Sequence, residues 1–227
     1  MVRRLAILVM TVLALGGGVL HTYSYRYRLT LVVNDNGKLY SGSSVVEVKS
    51  WDQGTLQGSE IDRQLTGQAT LVDLGHGRLL VALLTGPGRA RPKDFYKPAW
   101  GDDPTAVLQE AYGLKVGWPV KGEPNIPILA QEQGARNLPP EKLPALVTFL
   151  DSQNPATVTT VDARDLSSVF GPGVALQSAT IEITNEPITT GITNRLPWLV
   201  GRRGYIDGQA TGIGVPYMGD QFVRGVR

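Results

Sequence analysis

Few residue types in this chain are suited to acid–base or metal chemistry. The sequence holds two histidines and no cysteine, which excludes disulfides, thiolate nucleophiles and zinc sites built on cysteine. His76 lies between two glycines, and no G-x-S-x-G motif accompanies it. Because a histidine at the tip of a turn is usually solvated, we do not expect His76 to be catalytic.

Two carboxylates and a serine–lysine pair are the remaining candidates for catalysis. Asp102 and Asp103 are adjacent, an arrangement that can bind a cation or act as an acid–base pair. We prefer a structural interpretation, because both precede Pro104 at the predicted start of a helix, where negative charge is stabilised. Ser43 and Lys49 lie roughly 20 Å apart along a predicted strand, too far to form a dyad. The sequence therefore predicts no catalytic, cofactor-binding or metal-binding residue.

The glycines near the C-terminus do not form a nucleotide site. Residues 201–219 contain six glycines but neither the P-loop pattern nor G-x-G-x-x-G after a strand. Val215 and Pro216 follow the Gly212-Ile213-Gly214 triplet and would break the helix that a dinucleotide site requires. We interpret residues 201–227 as a glycine-rich, basic tail.

One stretch combines basic and aromatic residues and is our candidate for function by contact. The sequence GRARPKDFYK (88–97) contains six such residues: Arg89, Arg91, Lys93, Phe95, Tyr96 and Lys97. Basic residues interleaved with aromatic rings suit anionic headgroups or an acidic protein partner. A solvated loop is the plainer interpretation of the same pattern.

Charge and composition exclude one class of partner and favour one class of fold. The net charge of +2 comes from Arg3 and Arg4, and the rest of the chain holds equal numbers of basic and acidic residues. Nucleic-acid binding domains usually carry a basic excess, so we expect no nucleic-acid partner. The 27 glycines and 15 prolines imply frequent turns and favour many short strands over long helices.

The N-terminus predicts a membrane anchor. Residues 5–20 carry no charge, slightly fewer than the ~20 residues of a standard span. The segment that follows places tyrosines beside arginines, a combination that suits the headgroup region: Tyr23, Tyr25, Arg26, Tyr27 and Arg28. Cleavage of a signal peptide after Ala14 and Gly16 is the alternative. The positive charges flanking the apolar run are nearly balanced, and the order of segments favours a body outside the cytoplasm.

The body is predicted to be mainly β (α+β), with antiparallel hairpins and two short helices. Alternation over 26–33 and 44–51 around the Asn34-Asp35-Asn36-Gly37 turn predicts a hairpin with Leu29 and Leu31 buried. A second hairpin is predicted to turn at residues 75–77. Helices are predicted from Asp103 to Gly113 and from Asp162 to Gly171, and strands over 145–151 and 174–186. Residues 114–144 give no clear element.

Five short motifs carry a resemblance to a known family. They are RYRLT (26–30), GSSV (42–45), FGPG (170–173), TTGI (189–192) and LPWL (196–199). Together they resemble an uncharacterised family of bacterial envelope proteins with an N-terminal membrane segment and a β-rich body. The resemblance implies an architecture and a location, and no activity comes with it.

These observations predict three regions: an N-terminal membrane anchor or signal peptide (1–24), a β-rich extracytoplasmic domain (25–200) and the tail (201–227). We expect a single-pass protein of the bacterial inner membrane with its body in the periplasm. Its expected role is a structural or protein-interaction module with an envelope protein as partner, rather than an enzyme. The alternatives are a carboxylate-dependent envelope hydrolase and a small-ligand module in which Trp51, Trp100, Trp118 or Trp198 lines a pocket.

Overall fold

The structure, a computed structural model, describes residues 22–52, 61–86, 100–101, 104–115, 125–201 and 219–225. Over these ranges the chain is mainly β, with antiparallel sheets and three short helices. The prediction of a mainly β body built on antiparallel hairpins is confirmed. The predicted anchor lies outside the described residues except for its last three, which begin the first strand. None of the described helices is long and apolar enough to cross a membrane.

The strands in these ranges form two sheets. They are β1 (Thr22–Asp35), β2 (Lys38–Asp52), β3 (Ile61–Gln68), β4 (Thr70–Asp73), β5 (Leu79–Ala82), β6 (Arg136–Asn137), β7 (Leu146–Phe149), β8 (Val158–Val161), β9 (Val174–Ile183) and β10 (Val223–Arg224). The larger sheet has the order β10-β3-β2-β1-β9-β6, and the smaller has the order β4-β5-β7-β8. The helices are α1 (Thr105–Ala111), α2 (Asn125–Leu129) and α3 (Ser167–Phe170).

The β1–β2 hairpin turns on two residues. Asn36 and Gly37 have φ values of 51° and 90°, the left-handed conformation that a tight hairpin turn of this kind requires. The predicted return strand began at residue 44, whereas β2 starts directly after the turn, so residues 26–33 lie opposite 40–47. The pairing is antiparallel as predicted, but its register differs by four residues from the predicted pairing with 44–51. Leu29 and Leu31 are buried on the inner face, as the alternation predicted.

The core lies on both sides of the smaller sheet. Between the sheets, the inner face of β1 packs with residues of β4 and β5 in one apolar cluster. A second cluster covers the other side of β5 and β7 and includes Ile192, Leu196 and Phe222. All four residues of β5 and of β7 are therefore buried. Residues 219–225, within the predicted tail, return the chain to the larger sheet, where β10 pairs with β3.

The helices differ from prediction at their starts and in their number. Helix α1 begins at Thr105, with Pro104 at the capping position rather than inside the helix. Helix α3 begins at Ser167, with Leu166 at the capping position, rather than near Asp162. Asp165, just before it, accepts hydrogen bonds from Ser167 Oγ and Ser168 N. The short helix α2 was not predicted, so two expected helices become three.

Candidate functional site

The predicted contact surface (Arg89, Arg91, Lys93, Phe95, Tyr96 and Lys97) lies outside the described residues. The described residues on either side of it, Gly86 and Trp100, are both held in the body by hydrogen bonds. The backbone N–H of Gly86 donates a 2.7 Å hydrogen bond to the carbonyl of Gly101. Trp100 is 2% exposed, and its indole N–H donates to the carbonyl of Leu84. The chain thus leaves and re-enters the core at one place.

That place lies near the start of β1, which we call the entry end of the body. The ring of Trp100 packs edge-on against Tyr27, with ring centroids 5.8 Å apart. The hydroxyls of Tyr25 and Thr105, the first residue of α1, are 2.8 Å apart. Both tyrosines belong to the first six residues of β1, so Trp100 and Thr105 are tied to the strand that follows the predicted anchor.

Ion pairs cover the outer face of the larger sheet at the entry end. Arg28 donates to Glu182 at 2.6 Å and to Glu186 at 2.8 Å, and Arg26 donates to Glu47 at 3.3 Å. Partial burial disfavours the charge on Arg28, but the hydrogen bonds and negative charges of its two partners outweigh that effect, so the pKa of Arg28 is raised. These ion pairs join β1 to β2 and β9. Each of the two arginines is thus neutralised by a glutamate.

The opposite end, which we call the turn end, joins three loops. Arg78, from the β4–β5 turn, donates a 2.8 Å hydrogen bond to Asp35 and a longer one to the carbonyl of Phe170. Asn36, in the β1–β2 turn, donates from its backbone to the carbonyl of Gly173 and from its side chain to that of Pro172. The bond from Arg78, and then that from Asn36, holds the pKa of Asp35 below its usual value.

The motifs that carry the family resemblance fill structural positions. A Cβ at Gly42 would lie 2.0 Å from the carbonyl oxygen of Leu71, so glycine permits the close approach of β4 to β2. Ser44 and Thr70 share a buried 2.6 Å hydrogen bond between hydroxyls. Thr189 exchanges hydrogen bonds with the backbone of Val45. Their roles are contacts between strands and loops.

Of the residues considered for chemistry, the structure describes His76 in the β4–β5 turn and both Ser43 and Lys49 in β2. His76 is exposed at the tip of its turn with a φ of 54°, and Lys49 pairs with Glu47. Asp102 and Asp103 lie outside the described residues. Across the described ranges, no group of three or more histidine, aspartate or glutamate side chains is placed to hold a metal ion.

The tryptophans considered as lining for a ligand pocket differ in burial. Trp100 lies in the core, Trp198 is partly buried and packs against Phe149 and Phe222, and Trp51 is half-buried. Trp118 lies outside the described residues.

A small pocket lies beside β6, in the part of the sequence that gave no clear prediction. Its volume is about 190 Å³, and it is lined by Val107, Glu110, Ala111, Asn137, Leu138, Pro139 and Lys142. Glu110 and Lys142 form an ion pair of 2.6 Å. Sequence patterns could not locate this pocket, because α1 and the segment after β6 are separated in the chain and neither shows a strong period. The paired prolines after Leu138 were the only local signal.

Comparisons of the chain with models of protein families, with curated proteins and with solved structures find no match. Two features of the protein bear on its function: the position of β1 directly after the apolar N-terminal segment, and the edge of the larger sheet at β6.

Proposed function

We propose that this protein is a single-pass protein of the bacterial inner membrane whose body lies in the periplasm and acts as a structural or protein-interaction module. The observation that carries the proposal is the start of β1 at Thr22, two residues after the apolar run ends at Leu20. The predicted anchor thus continues almost directly into a strand that lies between β2 and β9 in the larger sheet.

A direct connection of this kind suits a body that is held at a fixed position next to the membrane. The first paired residue of β1, Thr22, lies opposite Trp51 of β2, and Tyr25 and Tyr27 are already buried. Little chain is left to act as a flexible linker between membrane and body. With 14 residues in β1 and a rise of about 3.3 Å per residue, the turn end would stand roughly 43 Å from the entry end.

The position of the loop ends supports a contact at the membrane side. Gly86 and Gly101 meet at the entry end, where Trp100 packs on Tyr27. The basic and aromatic residues of 88–97 are joined to the body at that place and so would be presented near the membrane. We propose that they contact anionic headgroups or an acidic segment of an envelope protein.

The test is the topology of the intact protein in cells. Because the chain has no cysteine, a single cysteine introduced by Leu39→Cys or Leu150→Cys, at sites 61% and 82% exposed, reports one known position. We expect a membrane-impermeant maleimide to label both variants in spheroplasts before lysis, and the labelled protein to resist extraction from the membrane at alkaline pH. Labelling only after lysis, or release into the soluble fraction, would reject the proposed location.

A further inference from the structure

At the edge of the larger sheet, β6 has backbone groups without partners among the described residues. The N–H of Leu138 donates to the carbonyl of Ala179 in β9 at 2.8 Å, and Asn137 lies opposite Thr180. In an antiparallel pair, backbone groups of successive residues point alternately toward and away from the neighbouring strand. The N–H and C=O of Asn137 therefore point away from the sheet. Within the described part of the chain no hydrogen bond satisfies them.

The pocket beside this edge is apolar and small. Val107, Ala111, Leu138 and Pro139 supply apolar surface, and the ion pair between Glu110 and Lys142 lies within the same lining. Drug-sized ligands occupy sites of about 300–1,000 Å³, so a volume of about 190 Å³ suits one large apolar side chain. The charges in the lining are compensated, which leaves the apolar contact as the main attraction.

We propose that this edge and pocket bind an extended segment of a partner protein, with one apolar side chain in the pocket and the segment's backbone paired to Asn137. An unpaired N–H and C=O on a sheet edge are complementary to another extended backbone, and a neighbouring pocket selects one side chain of it. A compact small molecule would leave the edge unused. The inference rests on the proposed function as an interaction module and names the site and the chemistry of the partner.

Selection of peptides on the purified full-length protein tests this site. The probe is a displayed library of random peptides of about ten residues, followed by synthetic versions of the enriched sequences. We expect enriched peptides to share one leucine, isoleucine, phenylalanine or methionine among residues that favour strands. Their affinity should fall at least tenfold in Ala111→Phe, which fills the pocket, and stay unchanged in Ala156→Phe, which alters an exposed alanine elsewhere.

Changes to the peptide test the backbone pairing without altering the protein. Methylation of single peptide nitrogens should abolish binding at one position only, because β6 has two residues and Asn137 alone offers its carbonyl to a peptide N–H. No enrichment, equal binding to Ala111→Phe, or a peptide that tolerates methylation at every nitrogen would each overturn the proposal. Concentration-dependent self-association that Ala111→Phe removes would identify a second copy as the occupant and likewise overturn it.

This experiment is independent of the topology test. If cysteine labelling places the body in the periplasm and no peptide binds, the β6 site fails and the membrane-anchored module stands. If peptides bind as expected but labelling occurs only after lysis, the location fails and the site stands.

Discussion

Arg78 donates a hydrogen bond of 2.8 Å from Nη2 to Oδ2 of Asp35 and so joins the β4–β5 turn to the last residue of β1. The same guanidinium donates to the carbonyls of Leu74 and Phe170. The two sheets and the loop before β9 thus meet at one side chain. Neither turn alone predicts this arrangement, because the two partners are separated by 43 positions.

The ion pair gives the protein a defined dependence of stability on pH. The pKa of Asp35 is lowered in the folded state, so its contribution to the free energy of unfolding is complete above the ordinary value of 3.8 and is lost as the pH falls through the lower folded-state pKa. We expect Asp35→Asn to reduce stability at pH 6 and to reduce its loss on acidification. Urea unfolding between pH 6 and pH 2.5 measures both effects.

Glu141→Gln is the matched control for Asp35. Glu141 pairs with Arg164, but both side chains are more than half exposed, and exposed pairs contribute little. A profile of stability against pH that Asp35→Asn leaves unchanged would show that the pair at the turn end carries no linkage.

The sequence predicted the parts of the fold that have local signatures. The Asn36-Gly37 turn and the alternation that buries Leu29 and Leu31 are visible in a short window, and both are found. Strand β8 was not predicted. The link between Arg28 and Glu182 spans 154 positions, so no local pattern contains it.

The site was harder to predict for a physical reason. The pocket beside β6 exists only where α1 lies next to residues 137–142, and each segment alone is short and ordinary in composition. The unpaired backbone of Asn137 follows from its place at a sheet edge, a property of strand order rather than of residue type. A search for catalytic residue types therefore passes over this feature.

Leu31 tests the assignment of the inner face. Its side chain is 0% exposed and packs between the two sheets, so Leu31→Ala removes buried apolar contacts and leaves a cavity. We expect the free energy of unfolding to fall by about 2–5 kcal/mol. Leu39→Ala, at a leucine that is 61% exposed, should change it by no more than about 0.5 kcal/mol. Equal unfolding curves for the two variants would contradict the packing described for β1.

A substitution at Gly86 tests the close approach of the residues that flank 87–99. A Cβ at this position would lie 1.6 Å from the carbonyl oxygen of Trp100, whereas a Cβ at Gly101 meets nothing within 4 Å. We expect Gly86→Ala to lower the free energy of unfolding by about 1–3 kcal/mol through overpacking, and Gly101→Ala to have little effect. Thermal unfolding of both variants makes the comparison, and a Gly86→Ala protein as stable as the wild type would rule out the close approach.

The predicted anchor should remain on the protein. The apolar run continues to Leu20 and β1 begins at Thr22, so cleavage after Gly16 would leave five residues ahead of the sheet, four of them glycine or apolar. Mass spectrometry of the protein purified from membranes should find an N-terminus at or near Met1. A mature chain that begins at Gly17 would show instead that the segment is a cleaved signal peptide.

The last prediction separates a contact function from an ionisable catalytic one. His76 is exposed at a turn between glycines, and Asp102 and Asp103 precede Pro104, the capping residue of α1. We expect the His76→Asn variant, and the variant in which both aspartates are changed to Asn, to complement a deletion strain as well as the wild-type protein does. Any loss of stability should stay within about 1–2 kcal/mol, from altered charge near the helix start.

Removal of residues 1–20 is the contrasting variant in the same assay. Contacts made from the membrane require the body to be held there. The truncated protein should therefore not complement the deletion strain, even when a foreign, cleavable signal exports it and it is folded. If the truncated protein complemented the deletion strain, placement at the membrane would not be needed. If His76→Asn or the double variant failed while folded and correctly located, the protein would have to be considered an enzyme, and its chemistry sought at those residues.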